Sequence, residues 1–139
     1  MDRLDAEALP EHVASLSSRE KTVRLAAFSS ILAGEPASIP SLVSQTALDP
    51  EDVAGALAGL VARGMVVLAP SGEVVGSAGL SLTPTPHRLR IRDRSLYTWC
   101  AEDAVGIPAA LGIDAEIASA CFRCGEPIRI ELQNGRLAR

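Results

Sequence analysis

The chain has 139 residues, of which 47% are hydrophobic and 22% are charged, and this size fits one soluble globular domain or two small modules. The length excludes a large multidomain enzyme. Aromatic residues make up only 3%, so the core must be built from aliphatic side chains. The net charge of −4 excludes a general nucleic-acid coat and a binder of anionic membranes, since both need a basic surface.

The amino terminus and the cysteines indicate the cellular compartment. Residues 1–7 are acidic and lack the positively charged start and the apolar stretch of a signal peptide. No segment approaches the roughly 18 consecutive apolar residues of a membrane-spanning helix. The three cysteines, Cys100, Cys121 and Cys124, cannot all pair within one chain. We therefore expect a cytoplasmic protein with reduced thiols and no membrane partner.

The first strong pattern in the chain is a helix near the amino terminus. Apolar residues at helical spacing predict a helix over 18–33, and the serine before it can cap its start. Gly34 followed by Pro36 ends this helix. A weaker helical pattern covers 5–16, inside an amino-terminal segment, residues 1–17, that we treat as separate.

The next part of the chain predicts two more helices and a hairpin. A short helix covers 38–45, and a third helix begins at its N-cap Asp49 and ends at Gly64. Two β-branched runs around a Pro-Ser-Gly turn then predict a β-hairpin over 65–76. This order of elements is that of a winged helix-turn-helix, which we assign to residues 18–77.

The third helix is the one that would read DNA in such a module. It begins with Asp49, Glu51 and Asp52, and Arg63 is its one cation. Recognition helices present Arg, Lys, Asn or Gln to the groove. We therefore predict no DNA binding and favour a module used for packing or dimerisation, which leaves the oligomeric state open.

A segment rich in Gly, Ser, Thr and Pro, residues 78–86, predicts a linker or the lead-in to a strand. Strict alternation over 87–92 then predicts a strand whose basic face is either solvated or able to hold an anion. Apolar spacing predicts a helix over 96–106, which Asp93 and Ser95 can cap.

The end of the chain predicts a second hairpin. Strands over 115–121 and 127–132 flank a turn at 122–126. Residues 87–139 therefore form a small strand-helix-β-hairpin module. The predicted fold class is α+β, with a winged-helix-like amino-terminal module followed by this second module.

Cys100 and Asp103 carry the first candidate chemistry. Their i, i+3 spacing on the predicted helix places a thiol and a carboxyl on one face, about one turn apart. A nearby carboxylate raises the pKa of a thiol, and a buried carboxyl tends to stay protonated, so the pair can act as nucleophile and proton donor. The alternative is that Cys100 is a small core residue beside Trp99.

The second candidate is the Cys-x-x-Cys-Gly turn over 121–125, which has the geometry of half a zinc ribbon. Tetrahedral zinc would need Cys100, His87 or a second chain to complete it. A soft ion that accepts two or three thiolates needs no fourth ligand, which favours mercury or copper(I) over zinc. Cys100, Cys121 and Cys124 are therefore the candidate metal ligands.

One string in this part of the chain is Leu96-Tyr97-Thr98-Trp99-Cys100-Ala101-Glu102-Asp103, and the segments 107–112 and 115–121 follow it. Together they resemble the central part of the organomercurial (alkylmercury) lyases. The winged-helix-like amino half is also similar to that family, and the resemblance spans roughly residues 18–132. It implies that Cys100 and Asp103 belong to a catalytic trio in which thiolates take the mercury and the carboxyl helps transfer a proton to the departing carbon. It also implies that Cys121 matches a family cysteine thought to be mainly structural.

The chain departs from the family pattern in one respect. The second catalytic cysteine of the family lies in a carboxyl-terminal part that has no counterpart in a chain ending at Arg139, and Cys124 stands where the typical lyase has no cysteine. Either Cys124 replaces that cysteine in space, or the family's lyase activity is lost.

We therefore expect an organomercurial lyase-like protein that breaks a carbon–mercury bond by protonolysis. Cys100 would be the nucleophilic thiolate, Asp103 the proton relay, and Cys121 and Cys124 auxiliary metal ligands. No cofactor would be required, Hg(II) or another soft metal would be the bound ion, and small thiols would release it. The alternative is a non-enzymatic soft-metal sensor or carrier that uses the three thiols. A truncated scaffold without chemistry is the third hypothesis.

Overall fold

The computed structural model describes residues 15–121 and 123–138. Within them the chain forms four helices and one eight-stranded antiparallel sheet. The helices are α1 (Ser18–Leu32), α2 (Ile39–Thr46), α3 (Pro50–Ala62) and α4 (Ala101–Leu111). The strands are β1 (Val66–Leu68), β2 (Val74–Ser77), β3 (Leu80–Ser81), β4 (His87–Ile91), β5 (Arg94–Thr98), β6 (Ala115–Ala120), β7 (Pro127–Gln133) and β8 (Arg136–Leu137). The predicted mixture of helices and strands is confirmed, whereas the weak helix predicted over 5–16 lies mostly outside the described residues.

The first three helices begin where local sequence signals place them. Ser17 and Glu20 form a capping box at α1: the Glu20 N–H donates to Ser17 Oγ at 3.1 Å, and the Ser17 N–H donates to the Glu20 carboxylate at 3.0 Å. Ser38 caps α2, and Asp49 is the N-cap before Pro50 of α3. These three predicted helices are confirmed.

The sheet has the strand order β1-β2-β3-β5-β4-β6-β7-β8. The two predicted hairpins, β1 with β2 and β6 with β7, are confirmed. Strand β3 lies inside the segment 78–86 and pairs with both β2 and β5, so one sheet runs through both predicted modules. The division of the chain into modules 18–77 and 87–139 stays a prediction.

The helix predicted over 96–106 is wrong in its first turn. Residues 94–98 form β5, which pairs with β4 on one side and with β3 on the other. The hairpin turn between β4 and β5 includes Arg92, whose φ is +56°. Helix α4 begins only at Ala101, with Cys100 as its N-cap. Hydrogen-bonding partners on both edges favour a strand here, although the apolar spacing fits a helix equally well.

The core lies where the helices pack on the sheet. Helix α1 packs on β2 and β3 and against α2 and α3, while α4 packs on β4, β5 and β6. The core is aliphatic, as the composition predicts. Its largest fully buried hydrophobic side chains include Ile31, Leu42, Leu60, Leu80, Leu89 and Leu96. This packing brings α1 and the start of α4 to the turn between β2 and β3.

The helices differ from membrane spans in length and composition. Over residues 15–121 and 123–138, none combines the length and the apolar character that crossing a bilayer requires.

Candidate active site

The start of α4 brings a thiol and a carboxylate into contact. Cys100 is the N-cap residue and Asp103 is the third residue of the helix. The Cys100 thiol donates a hydrogen bond to Oδ2 of Asp103 at 3.2 Å. The predicted proximity of the two side chains is therefore confirmed, although it arises at a helix cap. Cys100 is exposed, so the alternative that it is a small core residue is wrong.

Two hydrogen bonds fix the backbone that connects β5 to α4 around Trp99. The Thr98 hydroxyl donates to the carbonyl of Cys100 at 2.8 Å, and the Trp99 N–H donates to the carbonyl of Gly79 at 2.9 Å. Thr98 is fully buried, so its hydroxyl anchors the backbone of Cys100 to the core. The position of the thiol is thus set by strand pairing and by one buried hydroxyl.

Gly79 lies directly beneath the Asp103 carboxylate. It is the second residue of the two-residue turn between β2 and β3, in which Ala78 has φ +53° and Gly79 has φ +87°. A Cβ atom built on Gly79 would lie 2.5 Å from Oδ2 and 2.7 Å from Cγ of Asp103. Glycine therefore supplies both the backbone conformation and the space that the carboxylate occupies.

The charge of the same carboxylate also acts on Arg24 of α1. Burial lowers the pKa of the half-buried Arg24 guanidinium, while the negative charge of Asp103 raises it. The Arg24 Nε is buried and has no hydrogen-bond partner among the described residues. Ser77 Oγ donates to the Arg24 carbonyl at 2.9 Å, which ties α1 to β2. The site therefore draws on α1, on the β2–β3 turn and on the start of α4.

The surroundings of Cys100 raise the pKa of its thiol. The first cause is partial burial of the sulfur, and the hydrogen bond to Asp103 and the charge of that carboxylate act in the same direction. The backbone N–H groups of Asp103 and Glu102 oppose the rise without cancelling it. At neutral pH the sulfur therefore keeps its proton and shares it with the carboxylate in a hydrogen bond.

The other two cysteines lie in the turn between β6 and β7. The Cys121 N–H donates to the Glu126 carbonyl at 2.8 Å, and the Gly125 N–H donates to the Cys121 carbonyl at 2.7 Å. Backbone N–H groups of Cys124 and Arg123, together with the Cys124 side chain, lower the pKa of the Cys121 thiol. Cys121 is half-buried, Cys124 is exposed, and both are free.

The structure does not unite the three thiols in one cluster. Within the described residues, no group of three or more His, Cys, Asp or Glu side chains is placed to hold a metal ion. His87, the other candidate zinc ligand, forms a hydrogen bond through Nδ1 with Ser119 Oγ at 2.9 Å. The roles of Cys100, Cys121 and Cys124 as metal ligands stay predictions.

Two neighbours of the carboxylate, Arg24 and Gly79, were not among the residues predicted from the sequence. An isolated glycine next to a strand pattern indicates close approach of another group to the backbone, and this signal could have identified Gly79. No local signal distinguishes Arg24 from any other arginine on an amphipathic helix.

Comparison with known proteins gives consistent matches. A sequence model described as alkylmercury lyase (MerB) matches residues 80–139. The alkylmercury lyase of Staphylococcus epidermidis is 36% identical over 104 residues, which are 75% of this chain and 46% of that relative. The alkylmercury lyase of Bacillus cereus is 37% identical over 100 residues, which are 72% of this chain and 44% of that relative. Each of these matches points to the alkylmercury lyase family.

A solved structure points to the same family. The crystal structure of the mercury-bound form of MerB2 superposes with a TM-score of 0.82 at 33% identity, over 91% of this chain and 62% of that chain. The chain spans about half the length of the curated alkylmercury lyases it matches.

Proposed function

We propose that the protein cleaves carbon–mercury bonds by protonolysis, with Cys100 as the nucleophile and Asp103 as the proton relay. The observation that carries this proposal is the 3.2 Å hydrogen bond between the Cys100 thiol and the Asp103 carboxylate, in a chain whose relatives are alkylmercury lyases. A thiol and a carboxylate that share a proton are the two groups that the reaction needs.

The reaction begins when the Cys100 sulfur binds the mercury of an organomercurial. The thiol proton passes to Asp103 Oδ2, a sulfur–mercury bond forms, and the ligand opposite the carbon leaves mercury as an anion. The raised pKa of Cys100 keeps this proton at the site until mercury displaces it. Both the proton and its acceptor are then in place before the carbon–mercury bond breaks.

In the second step the protonated Asp103 delivers its proton to the carbon. The carbon–mercury bond breaks, the hydrocarbon leaves, and Hg(II) stays on the Cys100 sulfur with one coordination position for a further thiolate. Delivery of the proton returns Asp103 to the carboxylate form. The cycle needs no cofactor and no redox change.

Several further assignments belong to the same proposal. Cys121 and Cys124 serve as auxiliary ligands for Hg(II), and small thiols release the ion. The three free cysteines favour the reducing cytoplasm. We interpret the part from α1 to β2 as a winged-helix module that contributes packing, including Arg24, and does not read DNA.

The experiment uses phenylmercury with the full chain in excess small thiol. We expect benzene, detected by gas chromatography, from the reduced protein and none above background from the Cys100→Ser variant. Uptake of phenylmercury without benzene would contradict the proposal and leave a soft-metal carrier. The Cys124→Ser variant, which removes an auxiliary mercury ligand but leaves the Cys100–Asp103 pair intact, should still release benzene in excess small thiol.

A further inference from the structure

Two thiols lie in the β6–β7 turn, outside the Cys100–Asp103 pair. The hydrogen bonds of the Cys121 N–H to Glu126 and of the Gly125 N–H to Cys121 close this turn at 2.8 and 2.7 Å. Gly125, with φ +71°, makes the tight return possible. The chain therefore brings Cys121 and Cys124 to one side of a short loop, where both thiols are free.

The spacing of the two cysteines also suits a single ion. Cys121 and Cys124 are three positions apart in the turn that the Gly125 N–H closes on the Cys121 carbonyl. This Cys-x-x-Cys spacing is one at which two thiolates bind the same metal ion.

The number of ligands decides which ions suit this pair. No group of three or more metal-ligating side chains forms among the described residues, so the pair has no third protein ligand there. Structural zinc needs four ligands in tetrahedral geometry. A soft ion such as Hg(II) binds two thiolates in a line and needs no others.

The pair lies at the same end of the sheet as Cys100. His87 at the start of β4 pairs with Thr98 of β5 on one side and with Ser119 of β6 on the other. Cys100 lies two residues after Thr98, and Cys121 lies two residues after Ser119. Because β4 alone separates β5 from β6, the two strand ends are two strand spacings apart, about 10 Å.

We propose that Cys121 and Cys124 form a separate two-coordinate dithiol site for Hg(II), which receives the ion from Cys100. The binding site stands independently of catalysis, and only the transfer rests on the proposed function. In the transfer, the bonds from mercury to Cys100 and to its second ligand break while two new sulfur–mercury bonds form. The two protons released by Cys121 and Cys124 go to the Cys100 sulfur and to the departing ligand, so no electrons are exchanged.

The binding claim is tested with inorganic Hg(II) in the Cys100→Ser variant, which retains only the dithiol. We expect one ion per chain, loss of both remaining reactive thiols, and retention of the ion against a tenfold excess of a small monothiol. Adding Cys124→Ser, a change at an exposed position, should weaken retention about a hundredfold, because chelation is lost. Circular dichroism and thermal melting check that each variant is folded.

Two outcomes would overturn the site. If Cys100→Ser retains no more Hg(II) than a variant in which all three cysteines are serine, the two thiols of the turn do not act together. Retention that is equal with and without Cys124→Ser would overturn it as well, because a single thiol would then account for the binding.

The transfer is tested in the intact protein after one equivalent of phenylmercury has reacted. Alkylation followed by peptide mass spectrometry reveals which cysteines mercury protects. We expect Cys121 and Cys124 to be protected and Cys100 to be alkylated, and the reverse pattern would overturn the transfer. If no benzene forms, the proposed function fails, while the Hg(II) titration of Cys100→Ser still decides the dithiol site.

Discussion

Replacing Gly79 with alanine tests whether the β2–β3 turn positions the catalytic carboxylate. The new Cβ would lie 2.5 Å from Oδ2 of Asp103, whereas ordinary contact begins at 3.4 Å, so the carboxylate must move by almost 1 Å. Such a movement breaks the 3.2 Å hydrogen bond from Cys100. A misplacement of about 1 Å at reacting groups can cost about a hundredfold in rate.

The matched control is Gly72→Ala. Gly72 has φ +88°, close to the +87° of Gly79, but a Cβ there meets nothing within 4 Å. Both substitutions therefore carry the same backbone cost, about 1–2 kcal/mol, and only Gly79→Ala also loses a hydrogen bond worth about 1 kcal/mol.

The assay compares denaturant melts and benzene release from phenylmercury for the two variants. We expect Gly79→Ala to unfold with about 1 kcal/mol less free energy than Gly72→Ala and to release benzene about a hundredfold more slowly. Equal benzene release by the two folded variants would refute the argument that Gly79 holds Asp103 in place.

Three further predictions follow from the charges and burial in the structure. Because Asp103 raises the pKa of the Cys100 thiol, Asp103→Asn should shift the pH profile of Cys100 alkylation to lower pH, and an unchanged or upward-shifted profile would contradict this cause. Leu60 is fully buried in α3, so Leu60→Ala should lower the free energy of unfolding by about 2–5 kcal/mol in denaturant melts. Leu25 is 59% exposed, so the control Leu25→Ala should change it by less than about 0.5 kcal/mol. Because α3 begins with acidic residues, the reduced protein should give no salt-dependent gel shift with promoter DNA at physiological ionic strength. A specific shift would contradict this and support the metal-sensor hypothesis.

Local signals predicted those parts of the fold that local interactions stabilise. The serine caps of α1 and α2 form their hydrogen bonds within a few residues of chain, and Pro50 favours a helix start at α3 although Asp49 forms no side-chain cap, so the sequence around them suffices. The hairpin of β1 and β2 is local in the same sense. These elements are at or within two residues of their predicted bounds.

The prediction failed where tertiary pairing decides the structure. Residues 94–98 have the apolar spacing of a helix, yet they lie between β3 and β4 and form hydrogen bonds to both. Apolar periodicity depends only on the residues of one segment. It carries no information on the strand edges with which that segment can pair. The sequence therefore predicts a helix cap at Asp93, where the structure has a hairpin turn.

The candidate site divides in the same way. The contact of Cys100 with Asp103 was predictable because three positions separate them at one end of a helix. The close approach of that carboxylate to Gly79 and its effect on the charge of Arg24 join positions far apart in the chain, and only the fold brings them together. For the same reason, the single cluster of three thiols suggested by the sequence does not form among the described residues.

The most direct test of the central claim separates mercury uptake from proton delivery at the Cys100–Asp103 pair. Wild type, Cys100→Ser and Asp103→Asn are each given phenylmercury with excess small thiol, and protein-bound mercury and released benzene are measured in the same samples. Wild type should bind mercury and release benzene, Asp103→Asn should bind mercury and release none, and Cys100→Ser should release none. Benzene release by Asp103→Asn at the wild-type rate would contradict the claim that this carboxylate relays the proton.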